Sequence, residues 1–123
     1  MRPSLVIAAA LTAALSQARA DGVDIRWSAD ARFTHKTGIG PGKFVEVCGK
    51  LAAGPTVRWN FEAGAPLEFN IHYHQGKDVE YPAKLAAAAR AEDTLQVKVA
   101  QDYCWMWSNK SAAPATLSVT LQR

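Results

Sequence analysis

Leu67-Glu68-Phe69-Asn70-Ile71-His72-Tyr73-His74 alternates apolar and polar or titratable residues without a break. The segment before it, Thr56-Val57-Arg58-Trp59-Asn60-Phe61-Glu62-Ala63, does the same with its odd positions apolar. A strict period of two marks a strand with one face in a core and the other in water. Outward from this pair, Leu95, Val97 and Val99 alternate with Gln96 and Lys98, and Ala115, Leu117, Val119 and Leu121 alternate with Thr116, Ser118 and Thr120. Shorter strands are expected at Val23–Ser28, Phe44–Gly49, Val79–Tyr81 and Tyr103–Trp107. Turn chemistry separates them: Gly38 through Gly42, Ala53-Gly54-Pro55, Gly64-Ala65-Pro66, Gln75-Gly76-Lys77-Asp78 and Ser108-Asn109-Lys110. The Ala-rich stretch Pro82–Glu92 favours helix by propensity but shows little amphipathic stripe, so it is expected as a connection with at most one or two helical turns. The sum is an all-β chain, an antiparallel β-sandwich of about seven to eight strands.

The length bounds what such a sandwich can be. The chain has 123 residues, 49% hydrophobic and 20% charged, a globular composition. Met1–Ala20 carries Arg2, an apolar stretch from Leu5 to Leu15, and a small-x-small end at Ala18-Arg19-Ala20. That is the pattern of a cleavable signal peptide, too short in its apolar part to span a bilayer. Residues 21–123 then form one domain, too small for a two-domain enzyme. Arg2 and Arg19 belong to the leader, so of the formal net charge of +3 only +1 falls on the remainder. A near-neutral surface argues against nucleic acid as a partner. The Ala-rich leader has a bacterial character and points to a periplasmic or secreted protein. In a eukaryotic host Asn109-Lys110-Ser111 would be a glycosylation sequon.

Cys48 and Cys104 are the two cysteines. An even count in an oxidising compartment favours a disulfide over free thiols. The chain holds no Cys-x-x-Cys redox motif.

From about Lys43 to Leu121 the order of features resembles a GOLD domain, the luminal β-sandwich of secretory cargo-receptor proteins. The matching pieces are a strand ending in Cys48, Gly54, the Phe61-Glu62-Ala63 strand, the alternating Leu67-Glu68-Phe69-Asn70-Ile71, the Gly76 turn, Tyr81, and a Tyr103 strand with a cysteine that ends in Ser108-Asn109. The resemblance implies the sandwich fold, a disulfide from position 48 and a tendency towards protein binding. Two features depart from the family. Its second cysteine would sit nearer Met106 than Cys104. The coiled coil, transmembrane helix and sorting tail of those receptors have no counterpart in these 123 residues.

Residues with chemical potential cluster on two strands. His72 and His74, two apart on a strand, share a face with Cα atoms about 6.5–7 Å apart, near enough to hold one ion. The alternation puts them opposite the core aromatics Phe69 and Tyr73, on an outer face or rim where both would be solvated. Glu68 on the same strand face, His35 from the early loop, and Met106 or Cys104 are candidates to complete a copper or zinc site. A thioether there would favour Cu(I), because soft sulfur selects soft metal. In Cys104-Trp105-Met106-Trp107 both sulfurs take one face and both indoles the other, and Trp59, Trp105 and Trp107 share the parity of core residues. No nucleophile elbow, zinc-protease helix or other catalytic pairing occurs. The sequence thus reads as an exported, non-catalytic module that binds a protein partner or small ligand. The alternative is a periplasmic copper- or zinc-binding protein using His72 and His74 with Met106 or Glu68.

Overall fold

The alternating segments become strands in a computed structural model that describes residues 22–123; the leader and its expected cleavage after Ala20 lie outside the described residues. The strands are β1 (Gly22–Asp24), β2 (Arg32–Ile39), β3 (Phe44–Leu51), β4 (Thr56–Gln75), β5 (Asp78–Gln96), β6 (Gln101–Ser108) and β7 (Ala115–Gln122). No helix occurs among the described residues, hence none long and apolar enough to cross a membrane.

The strand order is β1-β3-β6-β4-β7-β2, with β5 against β4. All pairings are antiparallel except the short β1, which runs parallel to β3. β4 builds the sandwich by serving two layers. Its first half, Arg58 to Ala63, pairs with β7; its second half, Glu68 to His72, pairs with β6. The change of partner falls on Gly64-Ala65-Pro66, which the sequence presents as a turn but which β4 runs straight through. Two residues explain the switch. A Cβ at Gly64 would lie 2.7 Å from Thr116 Oγ1, so any larger residue there would have to displace the Thr116 side chain at the start of β7. Pro66 has no N–H, so the ladder is broken where the partner changes. The register slips there, between Glu62 and Leu67.

The folded-over sheet closes on aromatic rings. Phe61, from the β7-paired half, meets Trp107 of β6 with ring centroids 5.6 Å apart, and Phe69 lies 4.9 Å from both Phe61 and Trp59. Trp105, Trp107, Phe61 and Phe69 are buried, as their parity requires. Each such ring removes about 150–250 Å² from water, roughly 4–6 kcal/mol by transfer bookkeeping. Trp59, Trp105 and Trp107 are core, while Trp27 is half-buried and packs against it.

Two further expectations are corrected. Pro82–Glu92 is no connection: it lies within the 19-residue strand β5, paired with β4 from Gln75↔Asp78 to Thr56↔Gln96. The long free edge of β4 needs backbone partners, and satisfying them outweighs the helix propensity of alanine. β2 was not visible at all in the sequence, because only Phe33 and Ile39 are buried in Arg32–Ile39. The hairpin tip does fall where expected, with Gly76 at φ 62°.

Asn109 follows β6 directly and shows why the sequon is unusable in the folded chain. Its side chain is 0% exposed. Nδ2 donates to the carbonyls of Ile39 (3.0 Å) and Ala113 (2.8 Å), while Oδ1 accepts from the Ser111 N–H (3.0 Å) and hydroxyl (2.7 Å).

Candidate functional site

The two layers have unlike outer faces. On the β2–β7 layer the outward residues are Arg32, Thr34, Lys36, Arg58, Asn60, Glu62, Thr116 and their like, mostly exposed. On the β3–β6–β4 layer the outward rows run Phe44–Ser108–Glu68, then Glu46–Met106–Asn70, then Cys48–Cys104–His72. Most of the last two rows is half-buried or buried, although it lies on the side away from the core.

The disulfide Cys48–Cys104 forms in this layer, with Cα atoms 4.1 Å apart. The Cys48 carbonyl accepts from the Ile25 N–H at 2.8 Å, towards β1, so its backbone polar groups face away from β6. Cys48 and Cys104 are therefore a narrow, non-hydrogen-bonded antiparallel pair, the geometry that brings two side chains together on one face.

His72 follows in the same row and is 6% exposed, which departs from the solvated position expected for it. The parity is as read, off the core face, but the second face is covered too. The Tyr81 ring sits 6.1 Å from the imidazole at the β5 irregularity between Ile71 and Tyr73, and the His74 ring lies edge-on at 5.4 Å. The imidazole Nδ1–H donates to Asn70 Oδ1 at 2.7 Å, and Nε2 faces Glu46 Oε1 at 3.4 Å. Burial holds the His72 pKa below the usual imidazole value; the Glu46 carboxylate opposes this, and His74 adds to it. His74 itself is exposed.

An open cleft of 770 Å³ runs over this surface, bordered by Asp24, Glu46, Lys50, His72, His74 and Asp102. Three carboxylates face one ammonium, so the cleft favours cationic groups.

Of the residues singled out in the sequence, His72, His74, Cys104 and Met106 share this face. Glu68 is on it but exposed, opposite Ser108, and four residues along an extended strand from His72. His35 is on β2, paired with Val119 and stacked at 6.3 Å on Phe33, with β7 between it and β4. The carboxylate beside His72 is Glu46, which sequence reasoning missed. A signal existed: a directly opposed antiparallel Cys48–Cys104 pair puts Glu46 across from Met106, on the histidine face.

No family model matches the chain, and no curated protein matches it. Among solved structures it is similar in fold to Aeromonas hydrophila PliG, a periplasmic lysozyme inhibitor of g-type lysozyme. The TM-score is 0.57 at 12% identity, covering 82% of this chain and 94% of that one. A de novo designed double-stranded β-helix matches with a TM-score of 0.44 at 19% identity, over 72% of this chain and 97% of that one. Neither is a GOLD domain. At these identities the first likeness establishes the all-β sandwich architecture.

Proposed function

We propose that the chain is an exported, non-catalytic module that binds a protein partner through the disulfide-bearing outer face of the β3–β6–β4 layer. The observation that carries this is the asymmetry of the two outer faces. A face that only meets water is polar and exposed, as on the β2–β7 layer; this one carries a disulfide, Met106 and His72, with Tyr81 (47% exposed) and Phe44 (37%) among the protein's exposed large apolar residues. Exposed aromatics beside a cleft are the usual anchors of protein recognition. The disulfide supports export to an oxidising compartment. The fold likeness to a periplasmic inhibitor makes a peptidoglycan-cleaving enzyme of the lysozyme class the partner to test first, an analogy of fold.

The test is binding of the untagged, disulfide-intact chain to g-type lysozyme, with muramidase activity followed by turbidity. Saturable binding with inhibition is expected. Tyr81→Ala and Phe44→Ala should each weaken it at least about tenfold if they are anchors, while Thr34→Ala on the opposite face should not. Binding that ignores Tyr81 and Phe44 but depends on Arg58 would move the surface to the other layer. Absence of binding would remove g-type lysozyme as the partner, and turnover of peptidoglycan by the chain itself would overturn the non-catalytic reading.

A further inference from the structure

We infer that Glu46 and His72, joined by His74, form a zinc(II) site of two imidazoles and a carboxylate on this face. The inference is independent of which protein the face meets.

The Nδ1 of His72 lies 2.7 Å from the Asn70 side-chain oxygen, an acceptor only, so the ring proton is on Nδ1. When the ring is neutral, its Nε2 lone pair faces the Glu46 carboxylate, 3.4 Å away. Two acceptors held face to face in a largely buried position call for a positive charge between them, a metal ion or a proton. A zinc ion meets the spacing: with ligand bonds of about 2.0–2.1 Å, atoms 3.4 Å apart subtend about 110° at the metal, the tetrahedral angle. The Asn70 contact is the outer-shell bond that fixes the tautomer and orientation of a ligating histidine.

The third ligand follows from the strand. The ligating atoms of Glu46, His72 and Cys104 all lie within 4.8 Å of one another, but the Cys104 sulfur is committed to the disulfide and has no thiolate to offer. His74 is exposed and free to turn, and its ring centroid is 5.4 Å from that of His72. Two imidazoles on one tetrahedral zinc have centroids about 5 Å apart, so a rotamer change at His74 suffices. Asp24, Asp102 and Glu46 make the surrounding cleft attractive to a divalent cation. With the cysteines oxidised, the donors are nitrogen and oxygen, which suits zinc(II) and does not suit Cu(I).

The competing arrangement is a proton in the gap, with an imidazolium paired to Glu46 and no metal affinity. Isothermal titration of zinc chloride into the untagged, disulfide-intact chain, stripped with chelator beforehand, separates the two. One saturable zinc per chain is expected, with a rise in melting temperature. Glu46→Gln keeps the shape and removes the charge, and should weaken zinc at least about tenfold; Asn70→Ala should cost roughly tenfold to a hundredfold through loss of the outer-shell bond. His74→Ala should weaken zinc by at least as much as Asn70→Ala and leave the circular dichroism spectrum unchanged, which guards against a His72 variant that fails to fold. Glu68→Gln is the control and should bind as the parent does. The assignment is overturned by zinc binding that survives Glu46→Gln at parental affinity, by equal dependence on Glu68, or by no saturable zinc in the parent chain. Lysozyme binding can succeed or fail without affecting any of these readings.

Discussion

Replacing Cys48 and Cys104 together with alanine should remove about 4 kcal/mol of stability, and the loss should originate in the unfolded chain. The cysteines are 56 residues apart, and closing a loop of that length lowers unfolded-chain entropy by about 14 cal/mol/K in the chain-entropy model, about 4 kcal/mol at 25 °C. Both residues are half-buried on an outer face, so truncation to alanine adds little packing loss. A domain of this size has a total of about 5–15 kcal/mol, so the variant should fold but be marginal, melting roughly 15–30 °C lower. Urea unfolding followed by tryptophan fluorescence is the assay, since Trp105 and Trp107 are buried beside the cross-link in sequence. The denaturant slope should rise as well, because an uncrosslinked unfolded chain exposes more surface. A double-alanine variant within about 1 kcal/mol of the parent, at unchanged slope, would refute the reasoning; the β3–β6 register would then be held by non-covalent pairing alone.

Two further outcomes are expected. Asn109→Asp should cost at least about 3 kcal/mol in a urea melt, because the new side chain offers no N–H to the carbonyls of Ile39 and Ala113 and places a charge where nothing is exposed. Tyr103, whose hydroxyl donates to the Val99 carbonyl at 2.8 Å, has its pKa raised above 10.0 chiefly by burial. Its contribution is therefore complete below pH 10 and is lost as the pH climbs towards the folded-state value, because the unfolded chain releases the proton first. Tyr103→Phe should flatten that alkaline decline in a pH series of denaturant melts, and an identical decline in both proteins would reject the assignment.

What the sequence made legible was what depends on parity alone. Alternation located β4, β7 and the tryptophan core correctly, because one buried face imposes the period directly on the residues. It failed at β5, where Ala83 to Ala91 line an edge strand with little to bury, so that pairing with β4 and not side-chain burial decides the conformation. It failed at Gly64-Ala65-Pro66 for a related reason: the residues that end a strand elsewhere here end one partnership and begin another. His72 was placed on the correct face and given the wrong environment: a strand at Val79–Tyr81 was expected, but not its pairing with β4, which brings Tyr81 over the imidazole.

The disulfide and the Glu46–His72 pair are one device, and the sheet logic shows why. Glu46, His72 and Cys104 come from three strands, and the carboxylate must reach diagonally across β6 to meet the imidazole. A slip of one residue between β3 and β6 would turn Glu46 to the core side and Val47 outward. Eight paired residues of β3 and β6 and the burial of Val47 and Leu51 oppose such a slip without forbidding it. Direct opposition of Cys48 and Cys104 removes the ambiguity covalently, and it does so in the row that contains His72. The cross-link that limits the unfolded chain is thereby also what aims Glu46. The urea and zinc experiments are coupled as a result: a double-alanine variant that stays folded should still lose zinc affinity, to the extent that β3 gains freedom to shift along β6.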